Sequence, residues 1–398
     1  MSNIFQHLLE RQVRPTSQLS LYEHGSVLRP ARLRRHVAVH KAAAVAELTL
    51  GGNMVFCRTD DGACFAIHGH TTACMNLSPS ERVRSIYYNP LNASIVLTAT
   101  WDKDVTDELH CRSVSHRHAL RKTPSPGVGL FVGESLRWPG FVEFDEANSK
   151  ILTASTPDMR YKLWDLRTYA LLYTLDNAVP MREVKTSPGM LLAQWDTPRV
   201  ASRLAPSLSV LDIDTGQVIV HLAPAMRRQR IVLIELFDNM LVYKQEHEHL
   251  HVLNVTTSKC VVIPATRHVP VSGFAFVSTA KIFLVIDLMA SVRVYSISGS
   301  LLSTFHETPG SVHHVVADNV IVSCVPVAGT LRLPYVHIER PAGGAELRVR
   351  PSHLRDMAAQ RATILLSTLP TCLAYDADSG DVYAGDAHGT VSVWSTWT

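Results

Sequence analysis

The stretch ILTASTPDMRYKLWDLRTYALLYTL, residues 151–175, constrains the fold more than any other part of the chain. It holds three short apolar runs: Ile151–Leu152, then Tyr161, Leu163 and Leu166, then Leu171–Leu175. Pro157–Asp158 interrupts the first gap and Arg167–Thr168 the second. Each run is of strand length and too short for a helix, so the segment reads as three antiparallel strands joined by tight turns. Trp164–Asp165 closes the middle strand.

The unit recurs. Leu211–Asp212, Leu253–Asn254, Tyr295–Ser296 and Trp394–Ser395 occupy the place of Trp164–Asp165 in later segments. Anchors at 164, 211, 253 and 295 lie 47, 42 and 42 residues apart, and the step to 394 spans two repeats. The intervening anchor is placed around Ile338, and looser upstream copies at Ile67 and Cys111. A period of ~40–50 residues with four strands per unit belongs to propellers, not to solenoids of shorter units. Eight anchors favour eight blades, and seven stays open. Together with Trp164–Asp165 and Gly69–His70, whose histidine such a likeness places in a bond inside the blade, these residues make the chain resemble the WD-repeat family. The expected fold is all-β: a WD-repeat-like β-propeller of seven or eight four-stranded blades. VEFDEANSKILTAS, VKTSPGMLL and YDADSGDVYAGDAHGTVSVW are also similar to uncharacterised WD-repeat-like proteins of plants and green algae, a likeness that carries no activity.

Two regions are assigned: residues 1–41, a short N-terminal helix and basic arm, and residues 42–398, the propeller. SNIFQHLLERQ sets Ile4, Leu8 and Leu9 on one face beside Phe5, with Ser2 as N-cap. Arg11, Arg14, Arg29, Arg32, Arg34, Arg35 and Lys41 against Glu10 and Glu23 give this segment +5, leaving the remainder at −2 of a total of +3. Glu10 and the lack of a Ser-rich stretch weigh against a transit peptide. The last segment supplies three strands, with turns at Ser379–Gly380 and His388–Gly389, so a strand from residues 15–50 is expected to complete its sheet and remove an open edge.

Further along, an Asp61–Gly62 hairpin is expected, and residues 122–134 read as a Pro/Gly-rich loop between blades. The segment PSHLRDMAAQRATILLST reads as a short helix with Leu354, Met357, Ala358 and Ile364 on its apolar positions. Seven cysteines (57, 64, 74, 111, 260, 324 and 372) without a CxxC pair suit buried thiols in a reducing compartment, so the chain is expected to be cytosolic or nuclear. No apolar run approaches 18 residues, and no membrane partner is expected.

No catalytic motif appears: there is no GxSxG, HExxH, GxxxxGK or post-strand GxGxxG. The chain is read as non-enzymatic, with no catalytic residue, cofactor or metal. Asp102, Asp104, Asp107 and Glu108 lack the spacing of a calcium loop. His247, His249 and His251 alternate, as ligands on one strand face would, but EHEH reads as a turn in an exposed hairpin.

The sharper signal is Leu152, the small residues 153–156, Asp158, Leu163, Trp164, Asp165 and Arg167. It resembles the WDxR box of WD-repeat substrate receptors of cullin-4 RING ubiquitin ligases, with Tyr161 where an aliphatic residue is usual. The resemblance implies that Asp158, Trp164, Asp165 and Arg167 bind a partner, the ligase's propeller adaptor, with residues 2–12 as a helical grip. The expected function is therefore a protein-interaction scaffold whose partners are other proteins. The rival is an RNA- or ribonucleoprotein-associated propeller using the basic arm; no aromatic residue is interleaved with the arginines, which makes nucleic acid the weaker expectation.

Overall fold

The computed structural model describes residues 32–39, 43–102, 108–137, 141–155, 160–175, 181–195, 208–222, 231–264, 266, 270–277, 281–287, 291–306, 312–316, 320–326, 331–333, 336–338, 345–351, 362–366, 370–376, 378–379 and 381–395. The expected helix over residues 2–12 lies outside them, as do Leu354, Met357 and Ala358. The described residues divide into two compact units, one within Val142–Pro309 and one within Pro15–Phe141 and Gly310–Thr398.

In the second of these units, β1 (Arg32–Ala38) precedes two meanders. The first is β2 (Val45–Gly51), β3 (Met54–Thr59), β4 (Cys64–His68) and β5 (Thr71–Cys74). The second is β6 (Glu81–Asn89), β7 (Ser94–Trp101), β8 (His110–Ser115) and β9 (Val128–Leu130). The Val142–Pro309 unit contains four. They are β10 (Phe141–Asp145), β11 (Lys150–Ser155), β12 (Arg160–Asp165) and β13 (Leu171–Leu175); then β14 (Met181–Ser187), β15 (Met190–Trp195), β16 (Leu208–Asp212) and β17 (Val218–His221). Next come β18 (Ile231–Phe237), β19 (Met240–Gln245), β20 (Leu250–Asn254) and β21 (Cys260–Ile263), then β22 (Val271–Val277), β23 (Ile282–Asp287), β24 (Ser291–Ser296) and β25 (Leu301–His306).

The chain then returns to the other unit. β26 (Val312–Val316) and β27 (Val320–Pro326) are followed by a two-stranded ribbon, β28 (Leu331–Leu333) and β29 (Val336–Ile338). β30 (Ala345–Pro351) and β31 (Ala362–Leu366) complete that sheet, and β32 (Pro370–Asp376), β33 (Asp381–Asp386) and β34 (Thr390–Ser395) form the last. Among the described residues there are eight four-stranded sheets, the architecture and the higher of the two blade counts expected from the repeat.

The register repeats as the anchors require. Trp164 opposes Ile151, the second residue of the strand before it, and Asp165 opposes the first, Lys150. Leu211, Leu253, Tyr295 and Trp394 oppose Leu191, Leu241, Phe283 and Val382 in the same way, and Ile67 opposes Val55. Two anchors need correction. In the β6–β9 sheet the equivalent pair is Val114–Ser115, opposite Ile95 and Ser94, not Cys111. Ile338 belongs to the ribbon, and the third strand of its sheet is β30, ending at Arg350–Pro351. Both misplacements have one cause: where no Trp–Asp pair marks the strand end, apolar alternation alone admits a slip along the strand.

Two further expectations change. Residues 128–130, within the Pro/Gly-rich stretch, pair with Cys111–Ser113 as a fourth strand instead of looping freely. Gly127, at φ +66°, permits this because a Cβ there would collide with the Ser113 carbonyl. Ile364 lies in β31, not in a helix, because its segment pairs with β30.

The N-terminal strand does complete the last sheet: β1 runs antiparallel to β34, with Arg32 opposite Ser395 and Ala38 opposite Thr390. Arg34 donates to Asp381 at 3.0 Å, Arg35 to the Gly69 carbonyl at 2.9 Å, and His36 Nδ1 meets Ser392 Oγ at 2.9 Å. Six first strands carry the same one-residue bulge just past their start, at Val45/Glu47, Val83/Ser85, Met181/Glu183, Ile231/Leu233, Val271/Gly273 and Pro370/Cys372. Such a bulge sharpens local twist and bends the strand. Apolar cores lie between neighbouring sheets: Phe56, Cys64 and Ala66 pack on Val83, Ile86 and Leu97, and Leu208 and Val210 pack on Ile234 and Leu241. Phe237, Val242 and Val252 pack on Phe283 and Val285, and Val45 and Cys57 pack with Ala374 and Val391.

Candidate protein-interaction site

The candidate site is the β12–β13 hairpin. Asp165 ends β12 and its side chain builds the turn: Oδ1 accepts from the Thr168 amide and from Thr168 Oγ1, both at 2.7 Å. These bonds hold its carboxyl below the usual carboxylate range, the Thr168 hydroxyl contributing most. Tyr169, at φ +61°, returns the chain, donating from its amide to the Asp165 carbonyl at 2.8 Å, while the Asp165 amide donates to Ala170 O at 2.9 Å. An Asx-type turn of this kind competes well with other loop conformations because the short side chain satisfies the turn's own backbone.

Trp164 is buried, and its indole Nε1 donates to Thr153 Oγ1 at 2.9 Å. Leu166 is fully buried and donates its amide to Ser149 O. Arg167, between Leu166 and Thr168, is exposed at the tip. The sequence pattern therefore separates into a buried anchor, a turn-forming acid and an exposed cation. Asp158 lies outside the described residues.

The same turn appears twice more in this unit. Asp212 Oδ1 accepts from the amide of Thr215 and from its hydroxyl, both at 2.8 Å, and Gly216 takes the positive φ. Asn254 Oδ1 accepts from the Thr257 amide at 2.8 Å, with Ser258 at φ +57°. Asp165 thus performs a task that recurs where tryptophan and arginine do not. Arg167 is what distinguishes the first hairpin; Asp214 and Thr256 stand at its place in the other two.

The hairpin is tied to the adjacent sheet of its unit. Tyr173 OH donates to Ile213 O at 2.6 Å, and Lys150 Nζ pairs with Asp214 Oδ1 at 2.9 Å. A Cβ on Gly216 would meet the Tyr173 ring at 2.8 Å. None of this was legible in the sequence, because these partners lie on different repeats and no local period reports them.

The other candidates resolve as follows. Residues 246–249 form the turn between β19 and β20, so His247, His249 and His251 do not share a strand. Among the described residues no group of three or more His, Cys, Asp or Glu side chains could hold a metal ion. Asp102 pairs with Arg82 at 2.8 Å, while Asp104 and Asp107 lie outside the described residues. Gly69 and His70 form the tight β4–β5 turn with His70 exposed, so the histidine does not take the bond inside the blade that the dipeptide led us to expect. The turn needs a residue at positive φ, which Gly69 supplies at +61°.

Repeated four-stranded meanders with this register, the last completed by an N-terminal strand, define the β-propeller fold class. Solved structures of matching architecture bear this out. The computationally designed Ika8 protein is 16% identical with a TM-score of 0.56, covering 90% of this chain and 98% of that one. The C-terminal WD40 domain of Sif2 is 11% identical with a TM-score of 0.52, covering 94% and 100%. BamB from Moraxella catarrhalis is 11% identical with a TM-score of 0.50, covering 93% and 98%. At these identities the likeness is one of fold. The family profile described as "Domain of unknown function (DUF7899)" matches residues 11–324, and the chain belongs to that family. No curated protein sequence matches it.

Proposed function

We propose that this protein is a non-enzymatic interaction scaffold, and that it serves as a substrate receptor of a cullin-4 RING ubiquitin ligase through the β12–β13 hairpin. The observation that carries the reading is the division of labour in the WDxR box. Trp164 and Asp165 fix the turn from within, and Arg167 projects from a preset tip. A guanidinium held on a rigid turn can engage a carboxylate or a pair of carbonyls with its planar fork at little entropic cost. The free cysteines among the described residues fit a cytosolic or nuclear site of action.

Affinity purification from cells is expected to recover the cullin-4 adaptor, and Arg167→Ala to abolish that recovery while leaving the fold intact. Recovery unchanged by the substitution rules out the contact. The alternative, an RNA-associated propeller using the basic arm, predicts binding that falls steeply with salt. Arg34 and Arg35 already serve β1 as ties to Asp381 and Gly69, which weakens that alternative.

A further inference from the structure

Six cysteines have described side chains, and none of the six is in a disulfide. Burial pushes the Cys57 thiol up to about 12 and the Cys111 thiol up to about 11, and raises Cys64 and Cys372 as well. Cys74 and Cys260 are exposed. Cys74 has an amide oxygen beside it, Asn76 Oδ1 at 3.7 Å, which cannot accept and then hold a proton at neutral pH. Cys260 is placed differently.

Cys260 opens β21 opposite Leu253, and on the same face of the sheet His251 opposes both Tyr243 and Val262. Three strands thereby bring a thiol, an imidazole and a phenol together. Sγ lies 3.8 Å from His251 Nδ1, and the His251 and Tyr243 rings stack with centroids 4.9 Å apart and 8° between planes. Burial, with Cys260 reinforcing it, raises the Tyr243 phenol above its ordinary value. His251 is lowered, by desolvation first, with His249 and Lys244 adding and Glu248 opposing, so the ring is neutral at pH 7. Lys244 Nζ is itself engaged by the carbonyls of Glu248 and Thr266 at 2.7 and 2.6 Å.

We propose that Cys260 is a covalent modification site for soft carbon electrophiles of the α,β-unsaturated carbonyl class, with His251, its ring stacked on Tyr243, as the base. The thiol proton passes to His251 Nδ1, and Sγ uses its lone pair to form an S–C bond at the β-carbon. The alkene π pair moves to the α-carbon and carbonyl as an enolate, which takes back one proton. Thiol and electrophile are consumed one for one, and no oxidant is required. Neutral imidazole beside a thiol raises the thiolate fraction available for attack.

The test is limited labelling of the intact chain with N-ethylmaleimide, followed by peptide mass spectrometry of each cysteine. Cys260 is expected to react about tenfold faster than Cys74 at pH 7. His251→Gln should lower the Cys260 rate about tenfold, as the loss of the base predicts. Cys74 should be unaffected and the buried cysteines unlabelled, which certifies the fold in the variant. In the unmodified chain the Cys260 rate should follow deprotonation of the His251 imidazole, and the Cys74 rate should not. Equal rates at the two exposed cysteines, a Cys260 profile that tracks Cys74, or indifference to His251→Gln in a folded variant overturns the proposal.

Discussion

Arg112→Met tests how the β6–β9 sheet is held. Arg112 on β8 is buried against Glu81 on β6, with 9% and 2% of their side chains exposed. The guanidinium donates Nε to Glu81 Oε1 at 3.1 Å and Nη2 to Oε2 at 3.3 Å. It also donates to the carbonyls of Met75 at 2.8 Å and Ser125 at 3.1 Å, while Oε2 accepts the Leu77 amide. Methionine fills the stem volume but leaves a buried carboxylate without its cation and two carbonyls without their donor. Breaking a buried pair from one side costs about 3–5 kcal/mol, mostly the stranded charge. Adding Glu81→Gln removes that charge and keeps an acceptor for the Leu77 amide, so the double variant should recover at least ~1.5 kcal/mol of the loss. Urea unfolding gives the global figure, and amide exchange over residues 111–113 the local one. A single-variant cost under ~1 kcal/mol, or a double variant no better than the single, refutes the assignment of the loss to an uncompensated charge.

Two further outcomes follow from the same geometry. Asp165 has a depressed folded pKa, so its contribution is present above the unfolded value of ~3.9 and is lost as pH falls through the folded one. Asp165→Ala should loosen the hairpin by about 1–2 kcal/mol at pH 7, read by exchange of the Thr168 amide, whereas Asp165→Asn should be nearly neutral because Asn254 builds the same turn. At Gly385, an added Cβ meets Val45 at 2.6 Å and Cys372 Sγ at 2.7 Å. Gly385→Ala should therefore cost about 1–3 kcal/mol in thermal unfolding, and a neutral result would show that β33 and β2 can separate freely there.

The WDxR hairpin shows where local information ended. Its turn was visible in the spacing of Asp165, Arg167 and Thr168, but the reading gave all of Trp164, Asp165 and Arg167 to a partner. Only the structure shows the indole bonded to Thr153 and the carboxylate spent on Thr168, which leaves Arg167 as the outward group. The His247–His251 alternation matched a ligand pattern in period, yet a turn falls inside it and separates the imidazoles.

Alternation of apolar residues, the turn residues between them and a ~40–50-residue period are short-range facts, and they were enough to determine the all-β propeller fold. Side-chain contacts between neighbouring sheets were not determined that way, among them Lys150 with Asp214 and Tyr173 with Ile213. No period links residues such as Arg34 and Asp381, 347 positions apart. Their meeting depends on how whole sheets twist and stack, and that is decided only when the chain has folded.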